Sequence, residues 1–257
     1  MRGTPPLASA NLSDHVVQYL IDYTRRHRLA CGAEIPSEGQ ISEALHVSRS
    51  VVREAYRALK TAGVLDIGNG RSPRVGRLSN RGFAQFLLHA LHTDQATPAQ
   101  VLDLRYSIEV RAAELAALQR TEEDVVGLRR EAIIMRGSLE KRQRFTNADI
   151  RFHEILGRAT GNPLFELISS ALFESLGQTI RAGFDSRSSK SERRRVAQIH
   201  LAIADAIGKR NPVEARRRIT LHFDEARAFV LRSAASTGVD TAGRARSGST
   251  SASRLKA

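Results

Sequence analysis

The chain has 257 residues, 41% of them hydrophobic, and a formal net charge of +13. That length accommodates two domains of ordinary size, and the excess of Lys and Arg suits a polyanionic partner. A single cysteine, Cys31, excludes a disulfide within the chain, and no stretch nears the roughly 18 consecutive apolar residues of a membrane span. The N-terminus carries no apolar secretory core, so a cytoplasmic location is expected.

Residues 1–12, with Pro5-Pro6, read as a flexible start. A helix from about Ser13 to His27 follows, with Val16, Val17, Leu20, Ile21 and Tyr23 as its apolar set. Ser37 is an N-cap residue with Gln40 three positions on, a capping-box pairing that starts a helix running to about Leu45. His46-Val47 makes a tight turn, and Ser48 caps a second helix that runs to about Thr61 and meets Gly63, a residue type that takes the left-handed conformation. Two short helices joined in this way fit the helix-turn-helix arrangement of DNA readers.

Around the second helix, at roughly 100° per residue, Arg49, Arg53, Arg57 and Lys60 share one face while Val51, Val52, Ala55, Tyr56 and Leu59 share the other. A recognition helix needs this division, because its N-terminal residues reach base edges and guanidinium groups bond bidentately to guanine. Arg49 and Arg53 are best placed. Residues 64–67, a turn over Gly68-Asn69-Gly70-Arg71, and residues 72–75 then read as a β-hairpin wing, with Arg71 and Arg74 expected near phosphates. The reader spans residues 13–76.

The run IPSE, the block VSRSVVREAYRALKTAGVL and the wing GNGRSPRV resemble the DNA-binding domain of GntR-family bacterial transcription regulators. The resemblance implies that Arg49 and Arg53 read the operator, that Ser50 contacts a phosphate and that Gly70 is the wing-tip glycine. Ser37, Asn69 and Arg71 complete the DNA-contacting candidates. One departure is Gly39, where family members usually carry an arginine that contacts DNA from the first helix.

Residues 77–97 read as a linker and connecting helix, residues 98–233 as a helical domain, and residues 234–257 as a disordered basic tail. Helical segments are expected at 81–92, 98–119, 121–140, 145–160, 163–182, 190–209 and 212–232, punctuated by Thr97-Pro98, Gly161-Asn162-Pro163 and Asn211-Pro212. The fold class is therefore mainly α, a winged helix-turn-helix followed by an antiparallel bundle of about seven helices. Such bundles build sites from inward-facing side chains.

Asp149 and His153, four apart, share one helix face. His200 and His222 lie nine residues on either side of Lys209 and Val213, so in an antiparallel hairpin both stand about 13 Å from the turn at roughly 1.5 Å per residue. Three imidazoles and a carboxylate make a donor set for zinc, nickel or a similar divalent ion. On spacing alone, four separately packed side chains remain the alternative.

The segments LDLRYSIEVRAAELAAL, ADIRFHEILGRATGNPLFELI and AQIHLAIADAIGKRNPVEARRRITLHF resemble the FCD effector domain that defines the FadR subfamily of GntR regulators. With the N-terminal domain, the likeness covers about residues 10–233. It implies that Asp149, His153, His200 and His222 are metal ligands, that Arg105 contacts an acidic effector, and that Asn162, in the family's glycine-asparagine turn, belongs to the effector site. Asp103 stands where a glutamate is more usual. The expected protein is a homodimeric repressor, not an enzyme, released from a palindromic operator by a small carboxylic acid bound at zinc or nickel. A direct metal-sensing regulator is the alternative; a metal-dependent hydrolase would leave the DNA reader unexplained.

Overall fold

The computed structural model describes residues 9–68, 70–177 and 189–228. The expected flexible start up to residue 8, the wing position Asn69 and the basic tail lie outside the described residues. The chain divides into two compact units at Gly82 and Phe83.

In the first unit, α1 spans Ser9–Arg26, α2 Glu38–Leu45 and α3 Arg49–Thr61. The start of α1 lies earlier than the expected Ser13. Ser37 Oγ accepts from Gln40 N at 3.3 Å and Gln40 Oε1 accepts from Ser37 N at 2.8 Å, which closes the capping box of α2. The turn after α2 places His46 in the left-handed region at φ 54°, and Ser42 Oγ donates to the Val47 carbonyl at 2.7 Å to fasten it. Ser48 Oγ accepts from Val51 N to cap α3. Val52, Ala55, Tyr56 and Leu59 of α3 pack on Val16 and Leu20 of α1 and on Ile41 of α2. The Tyr56 hydroxyl donates to the Pro36 carbonyl, tying α3 to the start of α2.

The wing is the antiparallel pair β1 (Leu65–Asp66) and β2 (Arg74–Val75), with Leu65 opposite Val75. Gly63 and Gly70, where positive φ was expected, stand at 74° and 70°. The far edge of β2 is paired with residues 32–35, where Gly32 N donates to Val75 O, Val75 N to Ala33 O and Ile35 N to Pro73 O. This third strip anchors the short hairpin to the helices.

The second unit contains, among the described residues, seven helices. They are α4 (Arg81–His92), α5 (Pro98–Gln119), α6 (Glu122–Arg136), α7 (Arg142–Arg158), α8 (Pro163–Ser175), α9 (Lys190–Gly208) and α10 (212–228). Thr97 and Gln100 form a capping box that starts α5, with Pro98 in the first turn. Small side chains along α5, Ala112, Ala113, Ala116 and Ala117, are fully buried and let neighbouring helices approach closely. The expected run 121–140 ends sooner, at Arg136, because the chain turns at Gly137 to bury Leu139 beside Met135 and Phe145. Helix α7 correspondingly begins at Arg142 rather than at 145. No described helix is long and apolar enough to cross a membrane.

Candidate functional site

On the DNA-reading unit, Arg49, Ser50 and Arg53 are all exposed at the start of α3. Arg53 is not free: its Nε donates to Glu38 Oε2 of α2 at 3.1 Å, which orients the guanidinium across the two motif helices. Ser50 Oγ lies 2.9 Å from Ser48 Oγ. Ser37 Oγ accepts from Gln40 N, which leaves its own hydrogen to donate elsewhere. A Cβ placed on Gly39 would approach only Ser37 Oγ, at 3.9 Å, so packing does not demand glycine there. In the wing, Gly70 and Arg71 are exposed, and the Arg71 guanidinium folds over Gly68. Arg74, expected near phosphates, is held by Glu34 at 2.6 Å and by the Gly32 carbonyl at 3.1 Å.

The helical unit brings Asp149 and His153 of α7, His200 of α9 and His222 of α10 together. The imidazole centroids are separated by 4.7 to 5.3 Å, and one ligand atom from each of the three histidines lies within 4.8 Å of the others. Asp149 Oδ1 stands 3.0 Å from His200 Nε2 and 3.9 Å from His153 Nε2. The two Nε2 atoms are 3.4 Å apart. His153 and His200 are completely buried.

Hydrogen positions follow from the neighbours. His200 Nδ1 lies 2.8 Å from the Val196 carbonyl, which can only accept, so Nδ1 carries a hydrogen and Nε2 is the nitrogen turned to Asp149. His153 Nδ1 meets a carboxylate oxygen of Glu109, so in the neutral ring the hydrogen sits on Nδ1 and Nε2 carries the lone pair. Burial holds His153 below its ordinary value, and burial followed by the neighbouring imidazoles does the same to His222. Both are therefore neutral near pH 7. Burial alone would raise Asp149, but its contact with His200 and the surrounding histidines hold it far below the carboxylate range.

The result is a buried cluster of one carboxylate and three imidazoles, in which Asp149 Oδ1 faces His200 Nε2 and His153 Nε2. A divalent cation is held by such a set through imidazole nitrogens and a carboxylate oxygen. Two nitrogens about 2.0–2.1 Å from one tetrahedral ion would stand about 3.3–3.4 Å apart, close to the observed spacing of the two Nε2 atoms. The donor set fits a divalent metal ion.

Arg105 and Glu109 of α5 form a buried ion pair beside this cluster, with Arg105 Nε donating to Glu109 Oε1 at 2.9 Å. The Arg105 guanidinium carbon lies 3.7 Å from the centre of the Phe173 ring, and Nη2 has no partner. Phe173 also packs on His153, with ring centroids 4.7 Å apart. The close crossing of α7 and α8 that seats Phe173 depends on Gly157, where a Cβ would fall 2.9 Å from Glu166 Cα.

Comparison with known proteins settles the family. Residues 12–75 match the model described as bacterial regulatory proteins, gntR family, and residues 100–225 match the FCD domain. A transcriptional repressor of Cronobacter sakazakii, NanR, is 34% identical over 226 residues, covering 86% of each chain. The chain belongs to the GntR family. Its FCD domain places it among GntR regulators that join a helix-turn-helix to a helical effector domain. NanR of Salmonella newport is 32% identical over 85% of each chain. Among solved structures, a Streptococcus agalactiae GntR protein superposes with a TM-score of 0.60 at 22% identity, covering 84% of this chain and 99% of that one, a likeness of fold.

One placement differs from the sequence-based expectation, and one residue of the cluster was not anticipated. Asn162 is exposed, and its Oδ1 accepts from Leu164 N at 3.0 Å to cap α8, so it stands apart from the buried cluster. Glu109, by contrast, was not singled out although it touches both His153 and Arg105. Its only signal in the sequence was the four-residue spacing from Arg105, which on its own describes any surface ion pair.

Proposed function

We propose that this GntR-family regulator is an operator-binding repressor whose DNA affinity is set by a small carboxylic acid held at a divalent metal, zinc or nickel, in the helical unit. The observation that carries this reading is the meeting of three buried imidazoles and the Asp149 carboxylate beside an arginine with a free N–H edge. Asp149, His153, His200 and His222 would hold the ion, which supplies a Lewis-acidic grip on a carboxylate. Arg105 Nη2 donates to the same acid, and Phe173 and Phe223 shield the guanidinium from water. An acid enclosed in this way is read mainly through its charge.

DNA is read by Arg49 and Arg53 at base edges and by Ser37, Ser50, Gly70 and Arg71 along the phosphates. Two copies related by a twofold axis would present one recognition helix to each half of a palindromic operator in the cytoplasm. The acid alters operator affinity by preferring one arrangement of the two readers. No catalytic role is assigned. The repressor sense follows the names of the NanR relatives.

The second reading, a direct metal sensor, draws on the complete burial of His153 and His200, which leaves an ion little exchange with water. Fluorescence anisotropy on an operator selected from random DNA separates the two. With metal present throughout, addition of a panel of metabolic acids is expected to release the operator for at least one acid. Release by metal alone, with no further effect of any acid, favours the sensor.

A further inference from the structure

Glu109 faces two partners with its two oxygens. Oε1 accepts from Arg105 Nε at 2.9 Å, and Oε2 meets His153 Nδ1. The Glu109 side chain is 1% exposed and that of Arg105 5%, so water weakens neither contact. A carboxylate serving only to balance a buried guanidinium gains most by meeting it with both oxygens. Here one oxygen is turned to the imidazole instead, and Arg105 Nη2 is left unpartnered.

We propose that Glu109 is a positioning residue that divides its charge between Arg105 and His153, so that Arg105 tunes the metal centre without touching it. This rests on the metal reading above. The carboxylate fixes the hydrogen of His153 on Nδ1 and directs the Nε2 lone pair toward Asp149 and His200. An imidazole hydrogen-bonded to a carboxylate is a stronger metal ligand than a free one. Arg105 draws on the same negative charge and therefore moderates that effect. An organic acid that engages Arg105 takes up part of its positive charge, leaves more of Glu109 for His153 and tightens the hold on the ion. The coupling is reciprocal, so a loaded centre favours the acid in turn.

The test is Co2+ titration of the full-length chain at pH 8, followed by its visible absorption, with melting temperatures measured in chelator. Glu109→Gln is expected to raise the Co2+ Kd by about 10–100-fold and to shift the bands, as loss of such a carboxylate does at other centres. Arg105→Gln is expected to do the opposite and tighten Co2+ binding. A purely structural ion pair would weaken binding in both variants, and that outcome, or an unchanged affinity in either one, overturns the proposal. Should a single variant fail to fold, Glu109→Gln with Arg105→Gln buries no unpaired charge and carries the test. Its melting temperature is expected to recover while its Co2+ affinity stays weak; recovery of both shows Glu109 to be only the counter-ion of Arg105. A wild-type chain that takes up no Co2+ overturns the metal reading itself, a result distinct from the others.

Discussion

In the DNA-reading unit Arg49, Ser50 and Arg53 stand in water on the outer face of α3, whereas in the helical unit Arg105, Glu109, His153 and His200 are closed off from it. Both units pair an arginine with a glutamate, Arg53 with Glu38 at 3.1 Å and Arg105 with Glu109 at 2.9 Å. The distances are alike and the surroundings are not. An exposed pair is screened and orients a side chain for a polyanion; a buried pair is strong and fixes the electrostatics of a ligand site.

The largest contrast is in stability. Glu109→Ala leaves the Arg105 charge buried and unpaired and is expected to cost about 3–5 kcal/mol, measured by urea unfolding of the metal-free protein. Glu38→Ala removes the exposed partner of Arg53 and should change stability by no more than about 1 kcal/mol. Equal losses would dissolve the distinction between the two pairs.

Operator affinity should respond the other way. Arg49→Ala or Arg53→Ala is expected to cost about 1–3 kcal/mol of specific binding in gel-shift titrations while melting stays near wild type. Unchanged affinity would mean that α3 does not read the operator.

The units should also differ in pH response. His153 and His222 are held below their ordinary value mainly by burial, so below about pH 6.5 the unfolded chain binds protons that the folded chain refuses. Stability of the metal-free protein is then full above about pH 6.5 and declines as the pH falls toward the lowered folded values. Glu109 and Asp149, also lowered, add to the decline from about pH 4 downward. Tyr56 in the DNA-reading unit is raised by burial and by Glu38, so its contribution is lost only above about pH 10. Melting temperatures that do not fall between pH 7 and pH 5 in chelator would contradict the neutral state of His153 and His222.

The smallest effect is local. His46 takes φ 54° in the turn between α2 and α3, a conformation that costs a residue with a side chain more than it costs glycine. His46→Gly is expected to stabilise the unit by about 0.5 kcal/mol without altering operator affinity. Destabilisation would assign the imidazole a packing role.

These differences track what could be read from the sequence. The bounds of α4 and α5 follow from local signals, above all the cap at Thr97-Pro98, and both helices appear where expected. The meeting of α9 and α10 at His200 and His222 was accessible because both histidines are counted from one short turn. The end of α6 at Arg136 was not, because it is set by burial of Leu139 against Met135 and Phe145 rather than by a breaker of its own. Nor was the start of α7, since Lys141 at its N-cap position makes no side-chain cap bond. Glu109 was missed for the same kind of reason: its spacing is ordinary and only the packing of α5 against α7 brings it to His153.

The helical unit is proposed to hold a metal through Asp149, His153, His200 and His222. Elemental analysis of the chain purified without added chelator tests it most directly, beside the His200→Ala with His222→Ala variant. Close to one divalent ion per wild-type chain is expected, and none in the folded variant. A metal-free wild type that cannot be loaded, or a variant that retains its ion, would contradict it.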